Sequence, residues 1–163
     1  MRNHTNLLLI SLLASAIALP AAAQDYKATG YGYFGTGATN GSDFGQILNI
    51  GGGGEAMLYK GLAVGADLGY LGDRQRFQDE GFGLFSPGVG YHFMTRSSRV
   101  VPFATGGYSL AFRNGTANMF HYGGGVTYWF RPRLGLRMEV RDYRFADYPA
   151  DHATVVRVGF SFR

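Results

Sequence analysis

The stretch RLGLRMEVRDYRF, residues 133–145, decides the fold. Leu134, Leu136, Met138 and Val140 are apolar, and Arg137, Glu139 and Arg141 stand between them. On a helix, residues two apart fall on different faces, so these aliphatic side chains would wrap most of the way round the rod. On a strand, a period of two collects them on one face and the Arg-Glu-Arg set on the other. The spacing predicts a strand whose two faces meet two different environments.

The start of the chain bears on what those environments are. MRNHTNLLLISLLASAIALPAAAQ, residues 1–24, has a basic start at Arg2, an apolar run from Leu7 to Leu19, and small residues at Ala21 and Ala23. This is the pattern of a secretory signal peptide cut after Ala23. Residues 1–23 are expected to be the export signal and residues 24–163 a single domain. The apolar run is about 13 residues, short of the roughly 20 that a spanning helix needs. A mean hydropathy of −0.06 reads as soluble, but membrane barrels alternate polar with apolar residues and also average near zero. The chain has no cysteine, which excludes a disulfide framework and a thiolate nucleophile. Glycine is 26 of 163 residues and aromatics are 15%, a composition that points to all-β structure. The net charge of +4, lower once Arg2 is removed, is too small and too scattered to indicate a nucleic-acid partner.

The punctuation along the chain is regular. Basic turns stand at Tyr59-Lys60-Gly61, at residues 94–99 (MTRSSR) and at Phe130-Arg131-Pro132-Arg133, and the last residue is Arg163. They recur about every 35 residues, the length of one hairpin if about 9–11 tilted residues cross a bilayer. Eight strands are expected, at 26–37, 46–58, 61–72, 82–93, 99–112, 118–130, 133–145 and 153–162. At the opposite end lie ATNGSDFG (38–45), DRQRFQDEG (73–81), RNGTA (113–117) and ADYPADH (146–152), rich in loop-forming residues. Short turns at one end and longer loops at the other is the asymmetry of membrane-spanning barrels.

Aromatic residues fall at one level beside the basic turns: Tyr59, then Tyr91 and Phe93, then Tyr128, Trp129 and Phe130, and finally Phe160 and Phe162. They are expected to form a girdle at a membrane interface. Charge fixes which face is which. An Arg on the lipid face at mid-depth costs about 2–4 kcal/mol, so Arg137, Glu139 and Arg141 together would consume much of a domain's net stability of about 5–15 kcal/mol. They are therefore expected in the lumen. The same test turns Glu55, Asp67 and Arg157 inward, with His92 and His121 on the same face. Leu48, Ile50, Leu62, Val64, Leu68, Val156, Val158, Phe160 and Phe162 then point out. Glu55, Asp67 and Glu139 balance Arg137, Arg141 and Arg157, and glycines at 51, 53, 65, 69, 88, 90, 123 and 125 leave room for them. Buried charges persist only when paired, and an eight-stranded interior is just wide enough for side chains to fill it. The expectation is a polar plug that stabilises the barrel and leaves at most a narrow, gated path.

The eight alternating strands, VPFATGGYSLAF (101–112), GGGVTYWF (123–130), the 133–145 strand and the closing VGFSF (158–162) resemble the small eight-stranded outer-membrane β-barrel proteins of Gram-negative-type bacteria, of the outer-membrane protein A and X kind. The resemblance implies an all-β, antiparallel, up-and-down transmembrane β-barrel in the bacterial outer membrane. It also implies a structural role in membrane integrity, as a monomer among membrane lipid and lipopolysaccharide. Insertion by the barrel-assembly machinery, which recognises a last strand ending in an aromatic residue, is implied as well. Here Phe162 is penultimate and Arg163 last, a departure from that signal. No peptidoglycan-binding domain is expected after the last strand.

No enzyme is expected. Lipid A deacylases of similar build carry a His-x-Ser pair in the strand after the third short turn, where this chain has Glu139-Val140-Arg141. None of His92, His121 or His152 has a serine at a matching spacing, so no Ser–His nucleophile is expected. His152, beside Asp147 and Asp151, reads as a solvated loop residue rather than a metal ligand. No cofactor is implied: the glycines at 51–54 lack the Lys-Ser/Thr and the helix of a phosphate loop. Asn40-Gly41-Ser42 and Asn114-Gly115-Thr116 read as turns rather than glycosylation sites. Two other functions fit the alternation: adhesion through the surface loops, and a lipocalin-like carrier of an apolar ligand with the faces reversed. The signal segment, the aromatic levels and an apolar belt too large for water favour the membrane.

Overall fold

The computed structural model describes residues 28–40, 42–93, 99–147 and 150–163. The expected signal segment and residues 94–98 of the second basic turn lie outside the described residues. Eight strands form: β1 (Ala28–Thr39), β2 (Ile47–Tyr59), β3 (Leu62–Asp73), β4 (Phe82–His92), β5 (Val100–Phe112), β6 (Thr116–Arg131), β7 (Leu134–Phe145) and β8 (His152–Phe162). Each pairs antiparallel with its sequence neighbours, and β8 pairs with β1 to close an up-and-down barrel. Closure leaves no edge strand, which lets every backbone donor and acceptor be satisfied without water.

Two local features depart from the sequence expectation. Strand β6 starts at Thr116, inside the segment read as a loop, so the β5–β6 connection shrinks to Arg113-Asn114-Gly115. The segment 73–81 is not wholly irregular: a short helix, α1 (Phe77–Glu80), forms in it. Arg76 Nη1 donates to Glu80 Oε1 at 2.5 Å, one turn away, and the Phe77 ring meets Tyr70 edge-on at 5.0 Å. A single i,i+4 ion pair gives a short exposed helix a few tenths of a kcal/mol, about 0.3–0.5, so the ring contact matters as much. The β2–β3 turn requires its glycine. Lys60 and Gly61 have φ of 45° and 91°, and a Cβ at Gly61 would collide with the His92 carbonyl oxygen.

Alternation sorts the side chains into an inside and an outside. On the outside Ile50, Leu68, Val89, Phe120, Val140 and Val158 are exposed, forming a belt round the wall. Inside, the filling has layers. Ile47, Leu71, Leu84, Met119, Tyr143 and Val155 pack together at the loop end. The charged residues occupy the middle, while Met57, Val101, Phe103 and Trp129 lie towards the short turns. The interior is thus an ionic layer between two apolar ones rather than polar throughout. Inner glycines make room for the middle layer: at Gly53 an added Cβ would lie 2.6 Å from the Asp67 Cβ, and at Gly125 it would lie 2.8 Å from the Glu139 Cα.

Candidate functional site

Strands β3 and β7 stand on opposite walls of the eight-membered ring, and the charged residues they carry meet across the lumen. Arg141 Nη1 donates to Asp67 Oδ2 at 2.8 Å, and Arg141 Nε donates to Glu139 Oε1 at 2.6 Å. Arg137 Nε donates to Glu139 Oε2 at 3.4 Å, and its Nη1 donates to Glu55 Oε1 at 3.1 Å. Arg157 Nη1 lies 3.7 Å from Asp67 Oδ2. All six charged residues expected in the lumen therefore join one chain of alternating sign, Glu55–Arg137–Glu139–Arg141–Asp67–Arg157. It crosses from wall to wall. His92 Nε2 lies 3.2 Å from Glu55 Oε2 at one end of it.

The local sequence explains the bridging. Arg137, Glu139 and Arg141 alternate on one strand, so neighbours on that face are about 7 Å apart along it, within reach of side chains that lean towards one another. Glu139 accepts from both flanking arginines. Burial is nearly complete, with Arg141 2% and Arg157 1% exposed. Charges so desolvated need further partners, and aromatic rings supply them. The Arg137 guanidinium carbon lies 4.4 Å from the Tyr31 ring centre and 3.8 Å from that of Phe103. That of Arg157 lies 4.0 Å from Tyr33, and Arg157 donates to the Tyr143 hydroxyl. Tyr33 donates to Asp67 Oδ1 at 3.1 Å and Tyr31 to Asp67 Oδ2 at 3.5 Å. The charge pattern alone does not point to these rings, but Tyr31 and Tyr33 share the parity of Thr29 and Gly35 on the inner face of β1.

A cavity of about 20 Å³ remains beside the network, lined by Tyr31, Glu55, Asp67, His121, Arg137 and Arg141 among others. That is room for about one water molecule. The burial is the reverse of what a carrier of apolar ligands needs, since the charges are inside and the aliphatic stripes outside.

One expectation is corrected by geometry. No serine stands near a histidine in sequence, yet the β5–β6 register brings Ser109 Oγ to 2.8 Å from His121 Nδ1, and Ser109 donates to Ser86 Oγ at 2.8 Å. Linear spacing misses this contact because it crosses between strands. A Ser–His pair becomes a nucleophile only when substrate can reach the hydroxyl. Ser109 is fully buried in the packed wall.

The aromatic level divides in two. Tyr59, Tyr91, Phe93, Tyr128, Phe130, Phe160 and Phe162 are exposed on the outer face near the short turns. Trp129 is not among them. It is 6% exposed and lies inside, with the Arg163 guanidinium carbon 4.2 Å above its ring. Parity accounts for this, because Trp129 alternates in register with His121 and Thr127 on β6, whereas Tyr128 and Phe130 take the opposite face.

At the loop end, charge appears on the outer wall as well. Arg144 Nε donates to the Tyr122 hydroxyl at 2.8 Å and to Asp142 Oδ1 at 3.2 Å, and Thr154 Oγ1 donates to Asp142 Oδ2 at 2.7 Å. Arg144 is one residue from the strand end, at a depth where an outward cation costs about 0–1 kcal/mol.

Comparison with known proteins agrees with this architecture. A family profile described as outer membrane protein beta-barrel domain matches residues 9–163. The N-terminal β-barrel domain of Pseudomonas aeruginosa OprF is 17% identical, with a TM-score of 0.62 over 85% of this chain and 100% of that one. Neisserial surface protein A is 16% identical, with a TM-score of 0.59 over 83% of this chain and 94% of that one. The attachment invasion locus protein Ail of Yersinia pestis is 12% identical, with a TM-score of 0.58 over 83% and 96%. A comparison with curated protein sequences finds no match.

Proposed function

Because the chain belongs to the outer membrane protein β-barrel domain family, we propose that it is a structural resident of the bacterial outer membrane, closed to steady solute flow and without catalysis of its own. Residues 1–23 act as the export signal, and residues 24–163 form the inserted barrel. The barrel-assembly machinery inserts it as a monomer among lipid and lipopolysaccharide. In this reading Glu55, Asp67, Arg137, Glu139, Arg141 and Arg157 brace opposite walls, and the seven outward rings from Tyr59 to Phe162 anchor the wall at the membrane interface.

The observation that carries the reading is the continuous acid–base chain across the lumen, with a cavity of about 20 Å³ beside it. Planar-bilayer recording of the purified protein tests it. The expected trace shows little or no steady conductance, and a large, stable open channel would contradict the closed lumen. A second assay addresses chemistry: incubation with lipid A releases no fatty acid above a protein-free control, and sustained turnover would return Ser109 and His121 to consideration as a reactive pair.

A further inference from the structure

The two ends of the barrel carry opposite charge patterns. Loop-end segments hold Asp43, Asp73, Asp79, Glu80, Asp147 and Asp151, mixed with Arg74, Arg76 and Arg113. The short-turn end holds Lys60, Arg99, Arg131, Arg133 and Arg163, all exposed. Among the described residues, the three short turns and the end of β8 contain no Asp or Glu. Glu55, five residues before Lys60 on β2, is inside and paired with Arg137.

These cations come from all three short turns and from the end of β8, so they encircle the rim. Lys60 stands at the level of the outward rings, whereas Arg163 lies over the inward ring of Trp129. The Lys60 ammonium lies 4.9 Å from the ring centre of Tyr59, an outward-facing residue, which holds that charge on the lipid side of the wall rather than over the lumen mouth. Rings of this kind lie at headgroup depth. A collar of guanidinium and ammonium groups there complements phosphate-bearing, net-negative headgroups, which attract juxtamembrane cations within a Debye length.

We infer that the short-turn rim is a binding collar for anionic phospholipid headgroups, which enriches them around the barrel in the leaflet that the short turns face. The inference rests on membrane residence as proposed above and adds the chemistry of the lipids held.

Energy transfer from Trp129, the one tryptophan of the chain and itself at this end, provides the test. The full protein is inserted into phosphatidylcholine vesicles with a trace of acyl-labelled phosphatidylglycerol or, in parallel, of phosphatidylcholine with the same label. Each cation near an anionic surface contributes about a five-fold bias, so at low salt transfer to the anionic label should reflect a several-fold local enrichment. That enrichment should fall towards one at about 0.5 M salt as screening shortens the reach of each charge. The combined variant Lys60→Gln, Arg99→Gln, Arg131→Gln, Arg133→Gln should bring the ratio close to one while keeping heat-modifiable migration on a gel. Equal transfer to both labels from an inserted, heat-modifiable wild-type barrel, or a ratio indifferent to salt, would overturn the collar and leave membrane residence intact. Failure to insert into either vesicle would overturn both. If soluble polyglutamate binds the wild-type rim in neutral vesicles while the labels are not distinguished, the partner is a soluble polyanion and the lipid collar is wrong.

Discussion

Asp67→Ala is expected to destabilise the folded barrel by about 3–5 kcal/mol, the range for removing one member of a buried ion pair. Asp67 accepts from Arg141 and lies closest to Arg157 among the carboxylates it faces, and both tyrosines of β1 donate to it. Removing it leaves Arg141 with Glu139 alone and takes from Arg157 the carboxylate that faces it. The loss is large against a domain's net stability of about 5–15 kcal/mol. Denaturant titration in detergent, read by the shift between folded and unfolded gel bands, measures it. Asp67→Asn keeps the shape and loses the charge, so most of the cost should remain. Tyr33→Phe removes one hydrogen bond to the same carboxylate and should cost only about 1 kcal/mol. If Asp67→Ala and Tyr33→Phe were equivalent, the ionic chain would not be what braces the lumen.

The second large effect is on the outside. Val140 is 50% exposed, faces away from the lumen and pairs with Gly124 and Val156 near the middle of the wall. Val140→Arg places a cation against hydrocarbon near mid-depth, at a cost of about 2–4 kcal/mol. The folded, heat-modifiable fraction recovered in membranes should drop sharply. The neighbouring change Arg141→Lys keeps the inward charge, and the protein should still reach the membrane. It is not silent, because Arg141 bridges Glu139 and Asp67 through two different nitrogens, a geometry that a lysine ammonium does not reproduce. Equal assembly of the two variants would mean that the faces of β7 are assigned the wrong way round.

Much of this was legible in the sequence because a single strong rule, the cost of charge in hydrocarbon, acts on a pattern with period two. Arg137, Glu139 and Arg141 alternate with Leu136, Met138 and Val140, and only one facing is affordable; the same logic placed Glu55, Asp67 and Arg157. Which carboxylate meets which guanidinium was not legible. Asp67 and Arg141 are 74 residues apart, and their meeting depends on the stagger of all eight strands at closure, which no local pattern encodes. The Ser109–His121 contact escaped for the same reason. Trp129 differs: it shares the height of Tyr128 and Phe130 along the barrel, but alternation from His121 turns it inward. The apolar layer of Leu84, Met119 and Val155 is likewise set by strand stagger. The inward positions of β4, β6 and β8 near the loops are apolar, and charge placement says nothing about them. Helix α1 rests on a ring contact between Tyr70 and Phe77 that composition does not announce.

The arrangement of apolar outside and charged inside is tested most directly by where small paramagnetic probes reach. The chain has no cysteine, so single spin labels at Leu136→Cys, Met138→Cys, Val140→Cys and Val158→Cys, with Asn114→Cys in the β5–β6 loop as a reference, report each site alone in reconstituted bilayers. Oxygen, which concentrates in hydrocarbon, is expected to relax the four wall labels strongly while a water-soluble nickel chelate barely does, and the loop label should behave in the opposite way. Wall labels relaxed by the chelate as readily as the loop label would mean that this surface meets water and that the apolar face is not the membrane face.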